Sequence, residues 1–413
     1  MFASLRTCPN EAGGHYGEAM ARWLAGRGHE VTVLVKRTVE RPLSDGVRVL
    51  ACVQGRGGWR TPFIRWARRQ LAEGDYDLSV SLSTEVPATV MLPYGGLVCA
   101  QRNTEGESRL QRSMGYVDLR RRRSLKREVQ TLEDLHVKRF IAVSLCIRRQ
   151  LTDAGVEADR IVTTSAVWPG CFERGNRRNA AGKRAAVRKA LGIGSNQVVY
   201  ACVGHTEVGH FDAGIVRVPC RYLDGDRRRQ GIDTLVEALA SLVGRGVDAV
   251  LVLGGAPTYL DLKTAARLGV RDRLRVLGLM GDMDDLWAIA DVAVQPSRFD
   301  AAGYSVMRAL LTGVPVVTTR HNGASELVAG GDGSPAGRVI DSPDDPEALV
   351  WAMNELSEPT LQSRCADAAA TLAGTWQQRG RADAEALEAV LTEAAEAANK
   401  PSVADLQSRG DLA

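Results

Sequence analysis

Short runs of branched apolar residues alternate with helix-length amphipathic segments along this chain, and the series begins twice. In the first half, residues 31–35 (VTVLV), 78–82 (LSVSL), 139–143 (RFIAV) and 161–163 read as strands. In the second half, 198–203 (VVYACV), 247–253, 274–277, 291–295 and 314–318 do the same. Uniformly apolar runs of this length suit strands buried on both faces, and their alternation with helices indicates parallel sheets. Helices are expected at 17–25, 144–153, 232–243, 283–290 and 306–312, with Ala-rich helical segments at 367–372 and 383–397. The expected fold is α/β, with two Rossmann-like doubly wound domains facing a cleft. The first covers 1–190 and the second 191–375; 376–413 forms C-terminal helices and a frayed tail. The Arg-, Asn-, Gly- and Ala-rich stretch 170–189 marks the junction. At 413 residues there is chain enough for both cores.

Other classes are set aside by composition. Hydrophobic residues make up 45% and charged residues 25%, so a disordered or fibrous chain is excluded. No window nears the roughly 18 uninterrupted apolar residues of a membrane span, and the first residues show no secretory signal. Eight cysteines stand apart, at 8, 52, 99, 146, 171, 202, 220 and 365, with no C-x-x-C pair. Neither a zinc site nor a disulfide framework is indicated, and reduced thiols fit a cytoplasmic location.

The net charge of +4 hides an asymmetry. Residues 1–190 hold 33 Lys and Arg against 19 Asp and Glu; the remainder holds 20 against 30. A basic half is drawn to anionic partners. Its densest run is Arg120, Arg121, Arg122 and Arg123 with Lys126 and Arg127, which reads either as a solvated helix face or as a contact for anionic lipid. Trp59, Phe63, Ile64 and Trp66 among Arg60, Arg65, Arg68 and Arg69 have an interfacial composition. No nucleic-acid motif accompanies these charges, so no nucleic-acid partner is expected.

Residues 296–313 (PSRFDAAGYSVMRALLTG) follow a strand and open a helix at Gly303. Backbone N–H groups of a first helical turn attract anions. Asp300 stands just before that turn, where a carboxylate needs hydroxyl partners, as a sugar would offer. A plain strand–loop–helix connection has the same outline. The segment 205–212 (HTEVGHFD) has metal-ligand residue types but no ligand spacing, and a polar surface loop is the simpler account. His15 follows Gly13-Gly14, and His321 with Asn322-Gly323 fits a turn.

PSRFDAAGYSVMRALLTGVPVVTTRHNGASELV resembles the donor-site block of the retaining GT-B glycosyltransferases of family four, and most closely its lipopolysaccharide core glucosyltransferase type. Ala301-Ala302-Gly303, Gly313, Pro315 and Val316 match, as do segments 227–240 and 278–291, Gly13-Gly14 and 28–31. The resemblance implies a cytoplasmic hexosyltransferase, possible on the inner membrane surface, that needs no bound metal or cofactor. It would move a hexose from a nucleotide-diphosphate sugar, usually a UDP-sugar, to a cell-envelope glycan or glycolipid with retention. Asp300 matches the position that holds sugar hydroxyls, one methylene shorter than the family's Glu. Gly13 and Gly14 match the glycine loop against the diphosphate, and Arg229, next to Arg228, matches the arginine that neutralises it. Asp300 and Arg229 are thereby the catalytic candidates. Ala301, Ala302, Gly303, Tyr304 and Ser305 complete the donor-binding set.

Two departures stand out. Gln230 replaces the lysine of the basic pair, and Arg308 replaces a second Glu that accepts ribose hydroxyls. Arginine has donors and no acceptor, so it cannot take over that contact. Either Arg308 restores the missing charge and holds a phosphate, or the site has decayed and the chain only binds a glycan or a partner enzyme. An epimerase or phosphorylase of the same fold is a further alternative, although no motif for the cofactor lysine of pyridoxal phosphorylases is present. The loop 93–102 (PYGGLVCAQR) lacks the His or acid expected to face the donor sugar.

Overall fold

Strands made of Val, Leu and Ala on both faces pair in parallel, and every pairing between the described strands is parallel. The computed structural model describes residues 2–3, 12–35, 46–52, 60–100, 119–165, 180–204, 228–255, 259–278, 284–330 and 333–399. These divide into two units. The first comprises the described residues up to 165 together with 377–399, and the second those from 180 to 376.

In the first unit the elements run β1 (Phe2–Ala3), α1 (Ala12–Gly26), β2 (Val31–Val35), β3 (Val47–Ala51), α2 (Arg60–Glu73), β4 (Val80–Ser81), β5 (Val90–Met91), α3 (Leu119–Leu132), β6 (Arg139–Ala142), α4 (Leu145–Asp153) and β7 (Ile161–Thr163). Their sheet order is β3-β2-β1-β4-β5-β6-β7. β4 is shorter than the 78–82 run, because Ser81 Oγ donates to the Ser83 carbonyl at 2.8 Å and turns the chain. Ser144 caps α4, accepting from the Ile147 N–H at 3.3 Å. Phe63, Ile64 and Ala67 of α2 are buried with Leu34 and Val86, and Trp66 packs against them. The aromatic residues of α2 are therefore core, not an interface, while Arg65, Arg68 and Arg69 face outward. Trp59 lies outside the described residues.

The second unit runs α5 (Ala180–Ala190), β8 (Val198–Val203), α6 (Ile232–Gly244), β9 (Ala249–Gly254), α7 (Tyr259–Arg267), β10 (Leu274–Gly278), α8 (Asp284–Ile289), β11 (Val292–Gln295), α9 (Tyr304–Leu311), β12 (Val316–Thr319), α10 (Ser325–Ala329), β13 (Gly337–Ile340) and α11 (Pro346–Glu355). The sheet order β10-β9-β8-β11-β12-β13 is the doubly wound order of dinucleotide-binding folds. Leu235, Leu239 and Leu242 of α6 and Leu349 and Met353 of α11 are fully buried with Leu251 and Val294. Burial of such a side chain contributes roughly 1.5–3 kcal/mol. This unit takes in residues before 190. Arg184 and Arg188 of α5 both pair with Asp291, at 2.5 and 2.7 Å, next to β11.

The two Ala-rich segments belong to one helix, α12 (Pro359–Asn399). From residue 377 onward it is part of the first unit and not a separate set of helices. Glu388 accepts from Trp23 Nε1 (3.3 Å) and Arg27 Nε (3.1 Å) and pairs with His29 Nε2 (3.1 Å). Arg139 pairs with Glu393 at 2.9 Å, and Ser165 donates to Asp383. Burial would raise the Glu388 pKa, but the bonds from His29, Arg27 and Trp23 outweigh it and hold the carboxyl below its ordinary value. A depressed carboxylate stabilises the fold above its unfolded pKa and loses that contribution as pH falls through the folded one. Glu388→Gln is expected to lower the unfolding midpoint at pH 7. In thermal scans the gap to the native protein should close below about pH 4.

Candidate functional site

Open parallel sheets leave a crevice at the carboxyl ends of their strands where the order reverses, because the connections leave in opposite directions. In the second unit that point lies between β8 and β11. The connection after β8 ends at Arg228, Arg229, Gln230 and Gly231, which lead into α6. The connection after β11 is 296–303, which leads into α9. Strand order alone brings the two sequence-predicted groups to the same edge of the sheet.

They are joined through the backbone. The Arg298 and Phe299 N–H groups donate to the Arg229 carbonyl at 2.7 and 3.4 Å, and Arg229 Nη1 returns a bond to the Phe299 carbonyl at 3.4 Å. Gly231 caps α6 with φ 73°, and a Cβ there would overlap the Pro296 carbonyl.

Asp300 does not stand free before the helix. Its Oδ1 accepts from the Gly303 N–H at 2.9 Å and from the Ala302 N–H at 3.3 Å. Its N–H donates to the His321 carbonyl and its carbonyl accepts from Gly323, at 3.1 and 2.7 Å. Two of the N–H groups expected to meet an anion are thus taken by the chain's own carboxylate. This corrects the expectation of an open anion nest at Gly303. The first turn of α9 begins beyond them, at Tyr304 and Ser305. Among the described residues Asp300 Oδ2 carries no bond, so that oxygen can receive a ligand hydroxyl.

Gly303 has a different use from the one expected. It has φ 72°, and a Cβ there would overlap Asn322 Oδ1 and lie 2.6 Å from Ala324 Cβ. The close approach is made by the loop after β12. Beneath it, Asn322 is fully buried; its Nδ2 donates to Ser297 Oγ at 3.3 Å and its Oδ1 accepts from the Ala324 N–H at 3.0 Å. Ala301 and Ala302 are buried in this packing, while Tyr304, Ser305 and Arg308 are half-buried on α9.

Gln230 is half-buried, and its buried Oε1 has no hydrogen-bond partner among the described residues. An orphaned buried acceptor costs roughly 1–3 kcal/mol, which a bound ligand can recover. In the first unit, Gly13 and Gly14 lie in the opening turn of α1, after a loop outside the described residues. The loop 93–100 is held from below by Glu128, which accepts from Val98 and Cys99 N–H groups at 2.7 and 2.9 Å. Of the basic run on α3, Arg122, Arg123 and Lys126 are exposed, whereas Arg127 lies 3.6 Å from the buried Glu85. The side chains of Arg120, Arg121 and His15 and the segment 205–212 lie outside the described residues.

Sequence reasoning missed Arg298. It is almost fully buried, and Nη1 donates to Asp233 Oδ1 and to the Arg228 carbonyl at 2.8 and 2.6 Å. Nε donates to Asp344 Oδ1 at 2.8 Å and Nη2 to Thr234 Oγ1 at 3.2 Å. Burial works against its charge, but the Asp233 and Asp344 carboxylates outweigh this and hold the guanidinium above its ordinary pKa. The one signal in the sequence was a basic residue two positions before Asp300 in a loop of otherwise small or apolar ones. Gly303→Ala meets both a left-handed backbone and a filled space. It should destabilise the unit by about 2–4 kcal/mol, read from chemical denaturation.

Comparison with known proteins adds family relationships. A family model for "Glycosyl transferases group 1" matches residues 222–358, and one for "Glycosyltransferase Family 4" matches residues 14–165. The chain is 29% identical over 147 residues to the alpha-D-kanosaminyltransferase of Streptomyces kanamyceticus, covering 35% of this chain and 37% of that one. It is 31% identical over 153 residues to the lipopolysaccharide glucosyltransferase WaaG of Escherichia coli K12, covering 36% and 40%. The matched stretch thus spans about two fifths of the length of these relatives. The crystal structure of WaaG, 21% identical, superposes with a TM-score of 0.72 over 95% of this chain and 100% of that one. Anabaena HepE in complex with UDP-glucose, 17% identical, superposes with a TM-score of 0.62 over 94% and 98%.

Proposed function

Because the chain belongs to the GT-B glycosyltransferases of family four, we propose that it transfers a hexose from a UDP-sugar to a hydroxyl of a cell-envelope glycan or glycolipid, such as lipopolysaccharide core, with retention. One observation carries the reading: Arg229 is bonded to Arg298 and Phe299 of the loop that presents Asp300, at the strand-order reversal of the second unit. The hard step is departure of the diphosphate while positive charge grows at the anomeric carbon. Arg229 and the first turn of α9 neutralise the leaving group. Asp300 spends Oδ1 on its own loop and offers Oδ2 to a sugar hydroxyl. Gln230 meets the ligand through its amide, whose Oε1 has no partner among the described residues; rotated by half a turn, the same amide presents N–H groups to a phosphate oxygen. Arg308 supplies the charge that Gln230 lacks. No metal enters this scheme. The first unit carries the acceptor. The presence of UDP-glucose in the HepE structure supports the choice of donor.

A thermal-shift panel of nucleotide sugars tests the reading, since a ligand that binds only the folded state raises the midpoint. UDP-sugars should give the largest shift, and a panel with no shift would sink the donor assignment. Asp300→Asn keeps an acceptor for the Ala302 and Gly303 N–H groups but loses the charge. It should retain the native midpoint and lose about 100-fold in transfer kcat/KM. Gln230 and Arg308 favour a second reading, binding without turnover. UDP-glucose binding by calorimetry with neither transfer nor hydrolysis would select it.

A glycolipid acceptor places the protein peripherally on the cytoplasmic face of a membrane. No helix of the described residues is long and apolar enough to cross one. Arg122, Arg123 and Lys126 form the anionic-lipid contact in this reading, each contributing about 1 kcal/mol near a charged surface. Replacing all three with Glu should abolish flotation with anionic vesicles; unchanged flotation removes the contact.

A further inference from the structure

Arg298 makes no hydrogen bond to either side chain assigned to the donor, yet it lies between them in the chain and is bonded to the segment that carries Arg229. Its Nη1 holds the Arg228 carbonyl, one residue before Arg229, and its own N–H holds the Arg229 carbonyl. Two residues later the same loop delivers Asp300. The guanidinium is pinned from the other side by Asp233 and Thr234 of α6 and by Asp344, which stands just before α11. Asp233 is shared, since Arg228 Nε lies 3.9 Å from its other oxygen. Three connections, those entering α6, α9 and α11, therefore meet on one planar cation.

We infer that Arg298 is a positioning residue that sets the spacing between Arg229 and Asp300 for the donor diphosphate and sugar. The planar fork of five N–H donors matches this task. A lysine ammonium would keep the charge but could not reach a carbonyl, two carboxylates and a hydroxyl from one point. Removing the fork frees the segment before α6 to shift against the loop after β11. Arg229 and Asp300 would then reach the donor one at a time. The inference rests on the donor-site reading above.

The test is a double-mutant cycle on UDP affinity by calorimetry, with transfer kinetics and thermal midpoints recorded for each protein. Arg298→Lys should weaken UDP binding and raise the donor KM by about tenfold. Arg229→Ala should cost much less in the Arg298→Lys background than in the native one, because its side chain is no longer held in place. A residue that merely stabilises the fold would lower the midpoint and leave the two losses additive. Should Arg298→Lys fold poorly, Asp344→Asn removes only the partner that is 69% exposed. It should weaken UDP binding about threefold at an unchanged midpoint. UDP affinity that stays native in these variants, or additive losses, overturns the positioning role while leaving the donor site in place. A native protein that binds neither UDP nor UDP-glucose overturns the donor-site reading and the positioning role with it.

Discussion

Strand order decides where chemistry can occur in the second unit. β8 sends its chain toward β9 on one side, and β11 starts the series on the other. The two connections part above the sheet, and the N-termini of α6 and α9 point into the gap they leave. The shape of that edge follows from the order of the apolar runs and the lengths between them. The polar residues then decide what the edge can hold.

The loop carrying Asp300 is rigid because its underside is a satisfied polar network. Thr318 Oγ1 donates to the Gln295 carbonyl at 2.8 Å and Thr319 Oγ1 to the Ser297 carbonyl at 2.5 Å, while Asn322 ties Ser297 to the next turn. Buried polar groups with all their bonds made fix one conformation. A short loop whose Arg298 and Phe299 are turned into the protein can thus present the Asp300 carboxylate from a fixed backbone. Preorganisation of this kind spares a ligand the entropy of ordering its site.

Much of the frame was legible. β2, β7 and β8 lie where their apolar runs predicted, and the segment 306–312 read as helix falls within one turn of α9. The misses have physical causes. α2 hides its apolar face, Phe63, Ile64 and Ala67, among arginines and behind Pro62, so composition outweighed spacing. β13 has only four residues, two of them half-buried, and carries no run long enough to recognise. In the site, Asp300 and Gly303 were readable because strand, loop and helix are contiguous in sequence. What they bond to was not. Arg298 meets Asp344 and Asp233 across 46 and 65 residues, a distance over which one sequence carries no pairing signal.

The seat that Trp23, Arg27 and His29 form on the first unit is filled by Glu388. During synthesis the sheet of that unit emerges early, but this partner is translated some 360 residues after the residues it meets. Until then the nascent unit exposes a half-built surface, and the ribosome delivers the whole second unit before the first is finished. Completion of this protein is therefore not sequential from amino to carboxyl end: its earliest-made portion is among the last to be closed.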